Sequence, residues 1–327
     1  MSHEYDFDHL LIDTYTPEIS REPTSPGNHI RAYVNLETRR FHEGRVVDPS
    51  LVYHRDINTS FRAIGFDCLL HINEHICPRF VLEFFRQVEL VRNEDQSLSL
   101  WFWVKNFKYV LTLEQFAQIL RIPNHGQCAY TEDWCLESLF NYREEDSPYC
   151  SYIPSPTELT KIIRTHKYSS YPNPTKIRLE EVRYELLSWA VILRENVLSL
   201  TGNREQLPAC CAHMIYCLLT QQPYNLAYFF AKRIVHLNGN KNKLIPYGMF
   251  LTRLYHHFMT FHPYLHGRQY SLFTPVMKPI TESYVSTILT SEFTTHYAPF
   301  DDPIHENETN TQDESVTRRG NAQVISS

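Results

Sequence analysis

Residues 98–121 read LSLWFWVKNFKYVLTLEQFAQILR, and two periods meet inside them. Leu98, Leu100, Phe102 and Val104 alternate with Ser99, Trp101 and Trp103, a period of two that sends successive side chains to opposite faces of a strand. The Lys105-Asn106 turn and a second β-prone run then predict a hairpin over residues 98–111. Thr112 stands three residues before Gln115, the spacing of a capping box: the hydroxyl accepts from one orphan backbone N–H while the amide side chain reaches back to another. A helix is therefore expected from Leu113 to Arg121, stopped near Pro123 and Gly126.

Outward from this stretch the helix signals continue. Before it, Pro78 suits a first helical turn, and Phe80, Val81, Phe84, Phe85 and Val88 follow at 3.6-residue spacing, which predicts a core helix. After it, Ser155, Pro156 and Glu158 repeat the capping-box logic, with a helix continuing through Arg164. Leu179, Val182, Leu186, Ala190, Leu193 and Val197 trace an amphipathic stripe ending near Gly202, the strongest helix expected in the chain. Three more are expected from Pro208 to Leu219, from Asn225 to Leu237, and from Pro246 to His257.

The fold class expected is mainly α: a helical domain over residues 46–300 with one small hairpin near residues 98–111. A connector around Tyr168–Thr175 would divide it into sub-lobes 46–167 and 176–300. Residues 1–45 carry Pro17, Pro23, Pro26 and mixed charge without a period, and read as a disordered arm. The acidic stretch 301–327 has hardly any apolar side chain to offset its ordering entropy, and reads as a disordered tail.

Apolar residues are 43% of the 327, enough to build a core, while nine glycines argue against low-complexity sequence. No run approaches about twenty uninterrupted apolar residues, and Met1 opens an acidic stretch rather than a secretory signal. An intracellular protein, cytoplasmic or nuclear, is expected, with its eight cysteines reduced. Charge is uneven. Between Gln206 and Thr281 there is no Asp or Glu but there are seven Lys and Arg, so with −6 in total the rest of the chain sums to −13. Within that segment Lys232, Arg233, Lys241, Lys243 and Arg253 are the candidate phosphate contacts, interleaved with aromatics that can stack on bases. The competing reading is that these charges offset the acidic half inside one folded unit.

The runs WFWVKNFKYVLTLEQFAQILRIPNHG (residues 101–126), LLSWAVILRENVLSLTGNREQLPACCAHMIYCLL (186–219), YNLAYFFAKRIV (224–235) and KLIPYGMFLTRLYHHFM (243–259) resemble a family of plant transposon proteins found in gag-like open reading frames of plant retroelements. The shared features are a hairpin leading into a capped helix with a Pro-Gly exit, then a Trp-bearing helix with an Asn-x-Leu exit, an apolar helix and a Pro-started last helix. The resemblance covers roughly residues 50–262 and rests on apolar patterns, not on a catalytic signature. It implies a transposon origin and a non-enzymatic role in self-association or protein partner binding. Nucleic-acid binding through residues 206–281 is the alternative.

Catalytic signatures of retroelement polyproteins are missing from the sequence: there is no Asp-Thr-Gly or Asp-Ser-Gly triplet, no Gly-rich phosphate loop and no C-x₂-C-x₄-H-x₄-C zinc knuckle. Cys210, His213 and Cys217 fall at i, i+3 and i+7 on one helical face and could approach a zinc ion, but no fourth ligand is nearby in the sequence and such a helix is normally core. His256, His257, His262 and His266 form a second group, read as a solvated terminus beside packed aromatics. No cofactor, metal, catalytic residue, membrane span or small-molecule substrate is expected.

Overall fold

The structure, a computed structural model, describes residues 41–54, 57–104, 107–143, 148–149, 151–165, 175–200, 205–238, 244–263 and 270–289. Residues 1–40 of the expected arm and the whole expected tail lie outside the described residues. Among the described residues about half are helical, in eleven α-helices, and the main sheet is small, antiparallel and three-stranded.

In chain order the first half holds α1 (Pro49–His54), α2 (Ile57–Ala63), α3 (Pro78–Arg86), β1 (Glu89–Arg92), β2 (Leu98–Val104), β3 (Phe107–Thr112), α4 (Leu113–Leu120), α5 (Leu136–Phe140) and α6 (Pro156–Ile163). The second half holds β4 (Ile177–Arg178), α7 (Tyr184–Asn196), β5 (Gln206–Leu207), α8 (Ala209–Thr220), α9 (Leu226–Asn238), α10 (Gly248–Phe261) and α11 (Glu282–Leu289).

The expected hairpin forms with Ser99 opposite Thr112 and Val104 opposite Phe107. It carries a third strand that the pattern did not announce: β1 pairs with β2 from Glu89↔Trp101 to Arg92↔Leu98. Leu98, Leu100, Phe102 and Val104 are buried, as the alternation requires, and the other face carries Trp101 and Trp103 with the Lys108 ammonium 3.7 Å from the Trp101 ring centre. The inner face meets α3 and α10 in an aromatic core. Phe102 lies 4.9 Å from Phe84 and 5.5 Å from Phe258, and Tyr109 lies 4.5 Å from Phe258.

Both capping boxes form. Thr112 Oγ1 accepts from Gln115 N–H at 3.2 Å while Thr112 N–H donates to Gln115 Oε1 at 2.8 Å, and Ser155 and Glu158 repeat the exchange. Helix α4 ends on Arg121 in the left-handed region, and α6 stops at Ile163 because Arg164 turns extended and bridges Val182.

Helix α7 departs from its expected form. It starts at Tyr184, not Leu179: Leu179 to Glu181 form a 3₁₀ turn and Val182 is extended against Arg164, so two members of the stripe precede the helix. Nor is it amphipathic. Every residue from Leu186 to Asn196 is buried, Ser188, Arg194, Glu195 and Asn196 included, which is the pattern of a helix inside the core rather than on its surface. It packs on α8, which in turn packs on α6. Helix α10 begins two residues after Pro246, because Tyr247 sits at φ +67, and runs on to Phe261. The buried apolar side chains join into one cluster from Val47 to Ile288, with members on both sides of the 168–175 connector.

The arm needs a correction at its end. Residues 41–45 are packed into the body: His42, Glu43 and Arg45 are all buried, and Phe41 bridges Ile245. Gly44 allows this with φ +98, close enough to Met249 that a Cβ would meet its terminal methyl at 2.9 Å. Local sequence gave no apolar period here because the segment is held by polar bonds to residues far along the chain. The Arg45 Nε–H donates to Glu195 Oε2 at 2.6 Å, and the Asn196 side chain both accepts from the Arg45 N–H at 2.7 Å and donates to its carbonyl at 2.9 Å.

Candidate functional site

Of the five candidate cations the structure describes three, and each meets different partners. Arg233, on α9, is buried: its Nη1 lies 2.5 Å from Glu132 Oε1, and its Nη2 donates to the Leu198 carbonyl. Arg253, on α10, faces a different carboxylate, donating from Nε to Glu74 at 2.9 Å and from Nη1 to the Leu120 carbonyl at 2.8 Å. Lys232 is half-buried, with its ammonium 5.4 Å from the Tyr228 ring centre. Lys241 and Lys243 lie outside the described residues. Two of the acid-free segment's charges thus meet carboxylates of the acidic half inside the molecule.

Packing occupies the Cys210 group and only part of the His256 group. Cys210, His213 and Cys217 are all buried in α8. The Cys210 thiol is engaged with the Thr131 backbone at 3.3 Å, and burial pushes it and Cys217 up to about 12, where a thiolate nucleophile is not available near neutral pH. His213 lies 5.4 Å from the Tyr224 ring, neither of its ring nitrogens makes a well-formed hydrogen bond, and burial pushes its pKa down to about 4. His257 is likewise lowered to about 4, first by burial and then by His262 beside it, while His256 is exposed and His266 lies outside the described residues. Among the described residues no three His, Cys, Asp or Glu side chains stand together as a metal would need.

A different feature emerges at residues 270–280, YSLFTPVMKPI. This segment crosses the body as a strap whose two ends are buried, Tyr270 donating to Glu83 at 2.7 Å and Ile280 exchanging backbone hydrogen bonds with Val46 and Asp48 at 2.8 and 2.9 Å. Between the ends its backbone is fixed at three further points. Phe273 exchanges both its N–H and its C=O with Ile76, each at 2.8 Å. The buried Glu43 carboxylate accepts the Val276 and Met277 N–H groups at 2.8 and 2.9 Å, and Arg45 donates to the Lys278 carbonyl at 2.8 Å.

Although the backbone is held so closely, the side chains face outward. Leu272 is 43% exposed, Phe273 58% and Val276 52%. Single exposed apolar side chains are ordinary on any protein, but three within five residues on a fixed backbone make a contiguous apolar ridge, the kind of surface that marks a contact with another protein. Sequence reasoning passed over this ridge. Pro275 and Pro279 make the segment read as loop, and its only visible signal was a run of apolar residues between prolines with Lys278 as the one charge.

Among the described residues no helix is long and apolar enough to cross a membrane. Comparison of the chain with family models, curated proteins and solved structures gives no match.

Proposed function

We propose that the chain is a non-enzymatic, gag-like protein of transposon origin that acts through self-association or binding of a protein partner, with the Leu272–Phe273–Val276 ridge as its contact surface. The ridge carries the reading: a strap fixed by eight hydrogen bonds over Tyr270, Phe273, Val276, Met277, Lys278 and Ile280 has its order without help from those three side chains, which are left to the outside. The transposon origin rests on the resemblance of the four segments quoted above. Burial of Cys210, Cys217 and His213 supports the non-enzymatic part, since side chains closed off from solvent do not reach a substrate.

Internal pairing of Arg233 with Glu132 and Arg253 with Glu74 weighs against the nucleic-acid alternative, because a guanidinium already bonded to a carboxylate releases no counterion from a phosphate. The experiment compares the wild-type chain with a Leu272→Ser/Phe273→Ser/Val276→Ser variant, for association by sedimentation and for single-stranded RNA binding at roughly 50 mM salt, where phosphate contacts are strongest. Association that the triple substitution abolishes, without RNA binding by either chain, is the expected result. Tight RNA binding that the ridge variant keeps would transfer the function to the alternative.

A further inference from the structure

Two separate sets of contacts hold the strap, and they divide it between Phe273 and Val276. Tyr270 and Phe273 are anchored on α3, α10 and Ile76: the Tyr270 hydroxyl donates to Glu83, its ring lies 5.8 Å from that of Tyr255, and Phe273 exchanges two hydrogen bonds with Ile76. Beyond that point the anchor changes. Among the described residues, the hydrogen bonds of Val276 to Ile280 all run to residues 43–48, through Glu43, Arg45, Val46 and Asp48. Helix α11 follows directly, with the Arg45 guanidinium 4.9 Å from the Tyr284 ring centre and the Tyr284 hydroxyl on Glu195. Residues 42–45 are in turn bonded to the body on their other side. The His42 N–H donates to Ile245, the Glu43 carbonyl accepts from Met249, and Arg45 is held by Glu195 and Asn196 of α7. The N-terminal segment thus lies between the body and the C-terminal part of the strap, running parallel to both Ile245 and Ile280 at its two bridges.

We infer that residues 41–48 and 276–289 open and close as one unit, a clasp in which the N-terminal segment fastens the C-terminal helix, while Tyr270 and Phe273 stay on the body. The reason is the sharing of buried polar groups. If residues 276–280 lifted alone, the Glu43 carboxylate would lose both its donors and Arg45 its carbonyl; if residues 42–45 lifted alone, Glu195 and Asn196 would lose theirs and the strap would lose Glu43 as well. Each partial opening leaves buried groups without partners, whereas opening the whole unit gives them to water. Helix α11 is eight residues long, too short to persist without the surface it packs on. Segments coupled in this way open as one cooperative unit below the free energy of global unfolding. The chain upstream of Phe41 leads straight into the clasp, so drawing those residues off the body releases α11 at the far end of the sequence and separates Val276 from Phe273. The inference concerns how the strap is held and does not depend on what meets the ridge.

Amide hydrogen exchange on two variants of the full chain tests the clasp from its two ends. Gly44→Val strains the N-terminal segment, since position 44 has φ +98 and a Cβ there meets Met249 at 2.9 Å. Tyr284→Ala acts from α11, removing the hydrogen bond to Glu195 and the ring beside Arg45. In either variant, exchange at His42, Asp48, Val276, Met277, Ile280 and Val285 rises by one shared factor of roughly tenfold or more. Phe273, bonded to Ile76, and Ala212, bonded to Pro208 in α8, keep their wild-type rates. Faster exchange confined to the segment that carries the substitution, faster exchange that includes Phe273, or no change in either variant overturns the clasp. Should Gly44→Val also lose protection at Ala212 and so unfold as a whole, Tyr284→Ala decides between the same outcomes.

Discussion

The Arg45 Nε lies 2.6 Å from Oε2 of Glu195, joining a segment read from sequence as a disordered arm to the last turn of α7, a helix buried from Leu186 to Asn196. The same carboxylate takes a contact from the His42 ring at 3.3 Å on one oxygen and a hydrogen bond from the Tyr284 hydroxyl at 3.0 Å on the other. Burial alone would raise the Glu195 pKa, but the His42 hydrogen bond and the Arg45 charge hold it far below the usual carboxylate range. Since Arg45 also holds the Lys278 carbonyl, this cluster sets the position of the strap and hence of the ridge.

Removing one partner of this pair leaves a buried charge uncompensated. Arg45→Met is expected to cost about 3–5 kcal/mol, and Arg45→Met with Glu195→Leu to cost less than the sum of the two single changes. Urea denaturation of the four chains in the cycle measures both. Additive losses would mean that the two side chains do not act as a pair.

Acid should weaken the fold through His213. Burial holds its folded pKa at about 4, below the 6.5 of an imidazole in the unfolded chain, so the unfolded state binds a proton first as pH falls. The stability this neutral histidine contributes is present above pH 6.5 and is lost between there and pH 4, by up to roughly 3 kcal/mol. His213→Phe should flatten the stability profile in that window. Glu195 acts lower: its depressed pKa gives stability that is present above 4.5 and is lost as pH falls further. An unchanged slope between pH 6.5 and 4 in His213→Phe would show that the imidazole is not the titrating group.

Leu193 is fully buried in α7, and Leu193→Ala should cost about 2–5 kcal/mol in thermal or urea unfolding. A cost under about 1 kcal/mol would mean that the site collapses around the lost methyl groups.

Adjacent cations on α9 should behave differently. Arg233→Gln removes the guanidinium from Glu132, which keeps the Tyr130 hydroxyl, and the donor from the Leu198 carbonyl, and should lose about 3 kcal/mol. Lys232→Gln, at a half-buried position over Tyr228, should stay within about 0.5 kcal/mol. Equal effects in chemical denaturation would contradict the distinction between a structural and a surface cation.

What the sequence made legible was local. The Thr112–Gln115 and Ser155–Glu158 boxes, Pro78 at a first turn and the 98–104 alternation each act over a few residues, and each forms where expected. Phe84 and Leu193, expected on the apolar faces of two different helices, are both fully buried. The start of α7 was misread because Leu179 and Val182 match helical spacing while Val182 is taken into a bridge with Arg164, a tertiary contact that spacing does not record. Strand β1 is four residues with charges at both ends and has meaning only beside β2. Residues 41–45 and the strap were illegible for the same reason: Glu43, Arg45 and Glu195 are read as surface charge until their partners, more than a hundred residues away, are known.

The most direct test of the ridge as an association surface is the molar mass of the full chain by light scattering across roughly 1–200 μM, the range in which a weak dimer forms. For wild type the mass should rise from 38.7 kDa toward twice that value, and the Leu272→Ser/Phe273→Ser/Val276→Ser chain should stay at 38.7 kDa throughout with its melting temperature unchanged. A wild-type mass that never leaves 38.7 kDa, or a variant that rises along with it, contradicts the account.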